Sequence, residues 1–197
     1  MAKKTEKVEV LYFPAPGPFC TRATVAAACR RAGELKIGEI VVATETGQTA
    51  LEVASRFPGG KVIAVTYHSG AEKPFDDPLP PAARKKLAEK KAVIVTCGHA
   101  LSGAERAMAK VGGGAPLAVA AETLRMFGQG TKVCVESVLM AADAGALSGK
   151  DVIALGGSAK GADTALVIAP AHQARMFSLR VKEVICKPRD FGRGDKS

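Results

Sequence analysis

The chain has 197 residues, 47% hydrophobic and 24% charged, with no tryptophan and 5% aromatics. That composition excludes a disordered chain and predicts one cored domain built on Ala, Val, Ile and Leu. Lys and Arg outnumber Asp and Glu 28 to 19, a net charge of +9, which points to acidic partners such as phosphates and nucleotides or, more simply, to a basic surface kept for solubility.

In chain order, the start MAKKTEKVEV has basic residues but no apolar secretory core. The short apolar run Val8–Phe13 predicts a strand, and Thr21–Leu35 an Ala-rich helix. A strand is expected at Glu39–Thr44, then a helix at Thr49–Phe57 that places Ala50, Val53, Ala54 and Phe57 on one face. Lys61–Tyr67 reads as a strand. Ser69–Pro81 is a long irregular loop and a candidate lid. Pro81–Lys91 begins with proline and ends in lysines, which suits a helix. Ala92–Cys97 is a strand, and Leu101, Ala104, Met108 and Val111 mark a helix stopped by Gly112–Gly114. Pro116–Phe127 is a further helix. Lys132–Leu147 is apolar nearly all round and predicts a covered, central one. The strands Asp151–Gly157 and Thr164–Pro170 are joined by six residues, too few for a parallel crossover, so this pair is expected to be antiparallel. Val181–Cys186 is the last strand, and about 1–7 and 189–197 are expected to fray. Alternating strands and helices predict a three-layer α/β/α domain with a mixed, mostly parallel sheet.

Five cysteines, an odd number without a CxxC or Cys/His spacing, exclude a disulfide framework and a zinc site, and no metal is expected. Cys97, Cys134 and Cys186 read as small core residues. No apolar stretch reaches the roughly 18–20 residues that span a bilayer, so a cytoplasmic protein without membrane contact is expected. Specific nucleic-acid binding is not expected, since no RNA or DNA motif occurs and aromatics are few. Homo-oligomerisation stays open.

Ligands of open α/β sheets sit at the carboxyl ends of the parallel strands. There this sequence places Thr44, Glu45, Thr46, Gly47, Gln48 and Thr49, then Tyr67 and His68, then His99, and finally Gly157, Ser158, Lys160 and Gly161. Gly47 lets the first turn tighten, Thr46 or Thr49 is positioned to cap the following helix, and the helix start suits an anion. The loop Gly156–Thr164 is a second glycine-rich turn with Ser158 and Lys160. Ordinary tight turns would look the same. Together they make a candidate cradle for a phosphorylated small molecule. Glu136 and Asp143, about two turns apart, are either a general acid/base pair or the solvent stripe of their helix.

The stretch EIVVATETGQTALEVASRFPGGKVIAVTYHSG resembles the C-terminal α/β domain of pyruvate kinase, and DVIALGGSAKGADTALVIAP resembles that domain's closing strand, glycine loop and antiparallel strand. The chain is most similar to a small, mostly archaeal group of stand-alone pyruvate kinase C-terminal-like proteins of unassigned reaction, through VTYHSG, GHALSGAER, KVCVESVLMAADAGA, GADTALVIAPAH and EVICKPR. The resemblance implies the α/β/α fold, no pyruvate kinase activity, and flavin mononucleotide (FMN) as cofactor. In that reading Thr44–Thr49 and Gly157–Gly161 hold the phosphate, while Tyr67, His68 and the loop carrying Phe75 flank the ring, and any redox chemistry belongs to the flavin. The alternative is an effector sensor for a sugar or nucleotide phosphate. Glu45 stands where pyruvate kinase has a lysine, which disfavours a second phosphate. Cys20 stands where the relatives have an asparagine.

Overall fold

The computed structural model describes residues 5–71 and 73–191. The expected tail residues 1–4 and 192–197 lie outside the described residues. Seven strands and six helices follow in the order β1 (Leu11–Phe13), α1 (Thr21–Leu35), β2 (Glu39–Ala43), α2 (Gln48–Arg56), β3 (Lys61–Val65), α3 (Pro81–Glu89), β4 (Val93–Val95), α4 (Glu105–Lys110), α5 (Pro116–Arg125), α6 (Gln129–Asp143), β5 (Val152–Gly156), β6 (Thr164–Ala169) and β7 (Arg180–Pro188). They form one sheet in the order β1-β7-β6-β5-β2-β3-β4. β6 alone runs against its neighbours, antiparallel to β5 and to β7, and the other pairings are parallel.

Successive side chains of a strand point to opposite faces, and the core divides accordingly. Ile40 and Val42 of β2 join Val62, Ala64, Ile153 and Leu155 under Val25 and Ala28 of α1, Val53 of α2 and Leu87 of α3. Val41 joins Ile63, Val65, Ala154 and Leu166 under Val138 and Leu139 of α6 and Ala121 of α5. The result is the three-layer α/β/α arrangement with a mixed sheet. Each fully buried Ile or Leu contributes about 1.5–3 kcal/mol, so the strand interiors hold the layers together. α6 is buried along nearly its whole length, as its all-round apolar pattern predicts.

Some elements are shorter than expected. Val8 and Val10 do not extend β1, an edge strand whose Leu11 and Tyr12 are exposed. The helix expected from Leu101 starts at Glu105, while Leu101 itself plugs the core. Arg189 is tied to the edge strand, its amide donating to the Phe13 carbonyl at 2.7 Å and its guanidinium standing 4.8 Å from the Tyr12 ring centre. No helix among the described residues is long and apolar enough to cross a membrane.

Candidate functional site

β2 ends at Ala43, and the Thr44 amide continues its ladder by donating to the Val65 carbonyl at 2.9 Å. The Thr44 hydroxyl then accepts the Gly47 amide at 3.0 Å and closes a tight turn. Gly47 has φ +82°, the left-handed region, and a Cβ there would come within 2.8 Å of the Ala83 Cβ, with Leu79 and Leu87 behind it. Both backbone conformation and packing therefore require glycine. α2 follows without a side-chain cap. This corrects the expectation that Thr46 or Thr49 caps it: Thr49 is mostly buried, and the threonine that organises the turn is Thr44. The first helical bond runs from the Leu51 amide to the Gly47 carbonyl. The amides of Gln48, Thr49 and Ala50 precede it, so they have no partner within the helix. Glu45, Thr46 and Gln48 are exposed around that positive helix end.

β5 lies beside β2, with Leu155 opposite Val42, so the loop after β5 is the neighbour of this turn. It is wired into itself. Asp163 accepts the Ser158 amide at 2.9 Å and the Thr164 hydroxyl at 2.8 Å, and its own amide donates to the Gly156 carbonyl at 3.0 Å. The Ala162 amide donates to the Thr21 hydroxyl at 3.0 Å. A Cβ on Gly157 would lie 2.1 Å from the Gly161 carbonyl oxygen, and one on Gly161 would lie 2.2 Å from the Thr21 hydroxyl. Lys160 is exposed, while the Ser158 hydroxyl oxygen is buried with no hydrogen-bond partner among the described residues. Cys20 is buried and its thiol donates to the Ala15 carbonyl.

The third cluster follows β3 and β4. The hydroxyls of Thr66 and Thr96 meet at 2.8 Å across the two strand ends. Just beyond, His99 stands edge-to-face with both Tyr67, centroids 5.8 Å apart, and His68, 5.7 Å apart. Tyr67 is 45% exposed. His99 is held from behind by Glu136 of α6, with Nδ1 3.4 Å from Oε2. Glu136 is 4% exposed. It pairs with Lys132 one turn away and accepts the Leu101 amide at 3.0 Å. Burial alone would raise its pKa. Hydrogen bonds from His99 and Lys132, the Lys132 charge and the Leu101 amide outweigh burial and bring it down to about 2. Glu136 is therefore neither half of a pair with Asp143 nor part of a solvent stripe. Asp143 sits at the rim, bonded at 2.9 Å to His172 and at 3.1 Å to the Gln173 amide. The missed signal was in the pattern: Lys132 and Glu136, opposite charges four apart, inside an otherwise apolar helix.

The loop between β3 and α3 is tied down at both ends. The Ser69 hydroxyl and the Gly70 amide both donate to the Asp76 carbonyl, Asp77 pairs with Arg84, and Leu79 is fully buried against the Gly47 turn. Phe75 is 98% exposed, so it flanks no ring slot. Glu45, Tyr67, Ala71, Asp76, Asp77 and Pro78 enclose a cavity of about 50 Å³. The larger cleft of about 390 Å³, between Leu35–Gly38, Lys150–Asp151 and Lys182–Glu183, opens at the other end of the sheet. Burial raises the Cys134 thiol pKa and pushes that of Cys186 to about 11, so both are inert core groups.

Helices on both faces of a mostly parallel sheet place the chain among three-layer α/β/α proteins. Residues 22–168, well over half of the chain, match the family model "Pyruvate kinase, alpha/beta domain", and the chain belongs to that family. Two solved structures of a Cryptosporidium parvum pyruvate kinase are similar to it. One is 17% identical, covers 77% of this chain and 23% of that one, and has a TM-score of 0.41. The other, in complex with ADP, is 19% identical, covers 74% and 22%, and has a TM-score of 0.37. The chain thus spans less than a quarter of those pyruvate kinase chains.

Proposed function

We propose that this chain binds a phosphorylated small molecule, FMN in the first instance, at the carboxyl edge of β5, β2, β3 and β4. The observation that carries this reading is the start of α2. Its amides are left without a side-chain cap, beside exposed Thr46 and Gln48, and such a helix start favours an anion. Lys160 on the neighbouring loop supplies a cation near the same edge. Tyr67, 45% exposed one strand further on, supports a ring system beside the phosphate. In FMN the flavin would supply any redox chemistry, and this chain would anchor the phosphate and orient the ring.

A second reading is a sensor for a sugar or nucleotide phosphate. The cavity beside Tyr67, about 50 Å³, is small against the roughly 300–1,000 Å³ of ligand pockets, which favours a ligand held mainly by its phosphate. The carboxylates of Glu45, Asp76 and Asp77 around it disfavour a second phosphate there.

Flavin fluorescence titration decides between them. FMN is expected to bind, riboflavin far more weakly, and Tyr67→Ala to lower FMN affinity while leaving inorganic phosphate binding unchanged. A sugar phosphate that binds best, with Tyr67 indifferent, would replace the flavin reading.

A further inference from the structure

We propose that His99 is the proton-accepting group of this edge, held for that role by the buried Glu136, and that it serves a phosphate-anchored ligand bearing an ionisable N–H, O–H or carbonyl-adjacent C–H. The ligand's anchor rests on the phosphate-binding reading above. The state of the imidazole does not.

The argument starts from an oddity of α6. Two ionised side chains, Lys132 and Glu136, sit inside a helix that is otherwise core. Removing an ion from water costs several kcal/mol, and apolar residues of similar size often serve stability as well or better. The pair is therefore better explained by what it holds. Oε1 of Glu136 takes the Leu101 amide, and Oε2 takes Lys132 and faces Nδ1 of His99. A carboxylate at that position accepts only, so Nδ1 is the nitrogen that donates toward it, and in the neutral imidazole the lone pair is left on Nε2. Nε2 lies on the other side of the ring from Glu136 and has no protein partner among the described residues. The edge-to-face contacts with Tyr67 and His68 fix the ring plane. An imidazole with a buried carboxylate behind it and a free nitrogen in front has the arrangement of an oriented general base.

The titratable and charged groups around His99 are Glu136 and Lys132 from α6, and Tyr67 and His68 from the segment after β3. β2 and β4 are separated by β3 alone, about 10 Å at the usual strand spacing. A ligand whose phosphate rests on α2, on one face of the sheet, and whose other end meets His99, against α6 on the other face, would lie across the carboxyl edge. In the step itself, the Nε2 lone pair takes the ligand's proton, the electron pair of the broken bond stays on the ligand atom, and the positive charge settles on the ring facing Glu136.

The test uses the folded chain and diethyl pyrocarbonate, which acylates unprotonated imidazole, with modification of each histidine followed by mass spectrometry as pH is varied. His172, on the exposed rim with Asp143, is the internal control. The acylation rate of His99 is expected to change severalfold in Glu136→Gln and in the opposite sense in Lys132→Met, with His172 unmoved. Because the two substitutions act in opposite directions, one well-folded variant suffices. FMN that binds, as read by its own fluorescence, is expected to slow acylation of His99 severalfold and leave His172 unchanged. A His99 acylation rate indifferent to both substitutions overturns the proposal, as does bound FMN that leaves His99 fully reactive. If FMN does not bind, the flavin reading falls, and the acylation rates of the variants alone decide the role of His99.

Discussion

Two glycine-bearing turns lie side by side on the carboxyl edge, one after β2 and one after β5, and they use their polar groups in opposite ways. In the turn after β5, Asp163 accepts the Ser158 amide and the Thr164 hydroxyl, Thr21 accepts the Ala162 amide, and Gly157 packs on the carbonyl of Gly161. The amides of Ser158, Ala162 and Asp163 are spent in holding the loop closed. In the turn after β2, one hydroxyl, that of Thr44, closes the bend, and the amides of the following helix start are left over. Similar composition thus yields one turn braced by Asp163 and Thr21 and one closed by a single hydroxyl ahead of a helix start. A glycine-rich sequence says that a backbone bends tightly, but not whether its amides are spent in the bending.

Asp163→Ala breaks the closed turn most severely. It is 2% exposed and accepts from two donors, and a hydrogen bond to a charged group is worth about 1.5–3 kcal/mol. A loss of about 3–5 kcal/mol in urea denaturation is expected. Gly157→Ala should follow at about 2–3 kcal/mol, because the new methyl meets backbone and not a flexible side chain. Substitution in the other turn should cost less. Gly47→Ala keeps an unfavourable φ of +82°, worth about 1–2 kcal/mol, and adds overlap with Ala83. Ala83→Gly in the same chain should recover the overlap part and leave the backbone part. A double substitution no more stable than Gly47→Ala alone would remove packing from the account.

The sequence carried the alternating pattern behind the sheet, and the short connection between β5 and β6 showed that β6 runs antiparallel. It also placed the candidate polar residues at the ends of the parallel strands. What it hid depends on partners distant in the chain. Glu136 is buried because His99 and the Leu101 amide, 37 and 35 positions away, come to meet it, and the one local sign was Lys132 four residues before it in an otherwise apolar helix. The closed state of the turn after β5 depends on Thr21, 141 positions from Ala162. Phe75 stood near the site by chain position alone, and its side chain ends in solvent. The turn before α2, by contrast, was readable. Thr44 sits three residues before Gly47, the spacing of a hydroxyl closing a turn onto a backbone amide. Thr46 and Thr49 drew attention as the residues nearest the expected helix start.

The smallest change sharpens the comparison most. Thr46 is exposed, takes no part in closing its turn and caps no helix. Thr46→Ala should therefore leave stability within about 0.5 kcal/mol of the wild type. If the helix start after β2 holds a phosphate, the Thr46 hydroxyl is one of the donors beside it, and a hydrogen bond to a charged group is worth about 1.5–3 kcal/mol, or about a tenfold loss of FMN affinity at the lower bound. Ser158→Ala provides the counterpart. Its hydroxyl is buried, whereas Thr46 is exposed beside the helix start, so FMN affinity should move less than with Thr46→Ala. The two turns differ as described if affinity falls at Thr46 with unchanged urea midpoints. Equal losses at both positions would mean that the ligand bridges the turns. Loss at Ser158 alone would transfer the anchor to the turn after β5, with its unpartnered hydroxyl and Lys160 in place of the helix start.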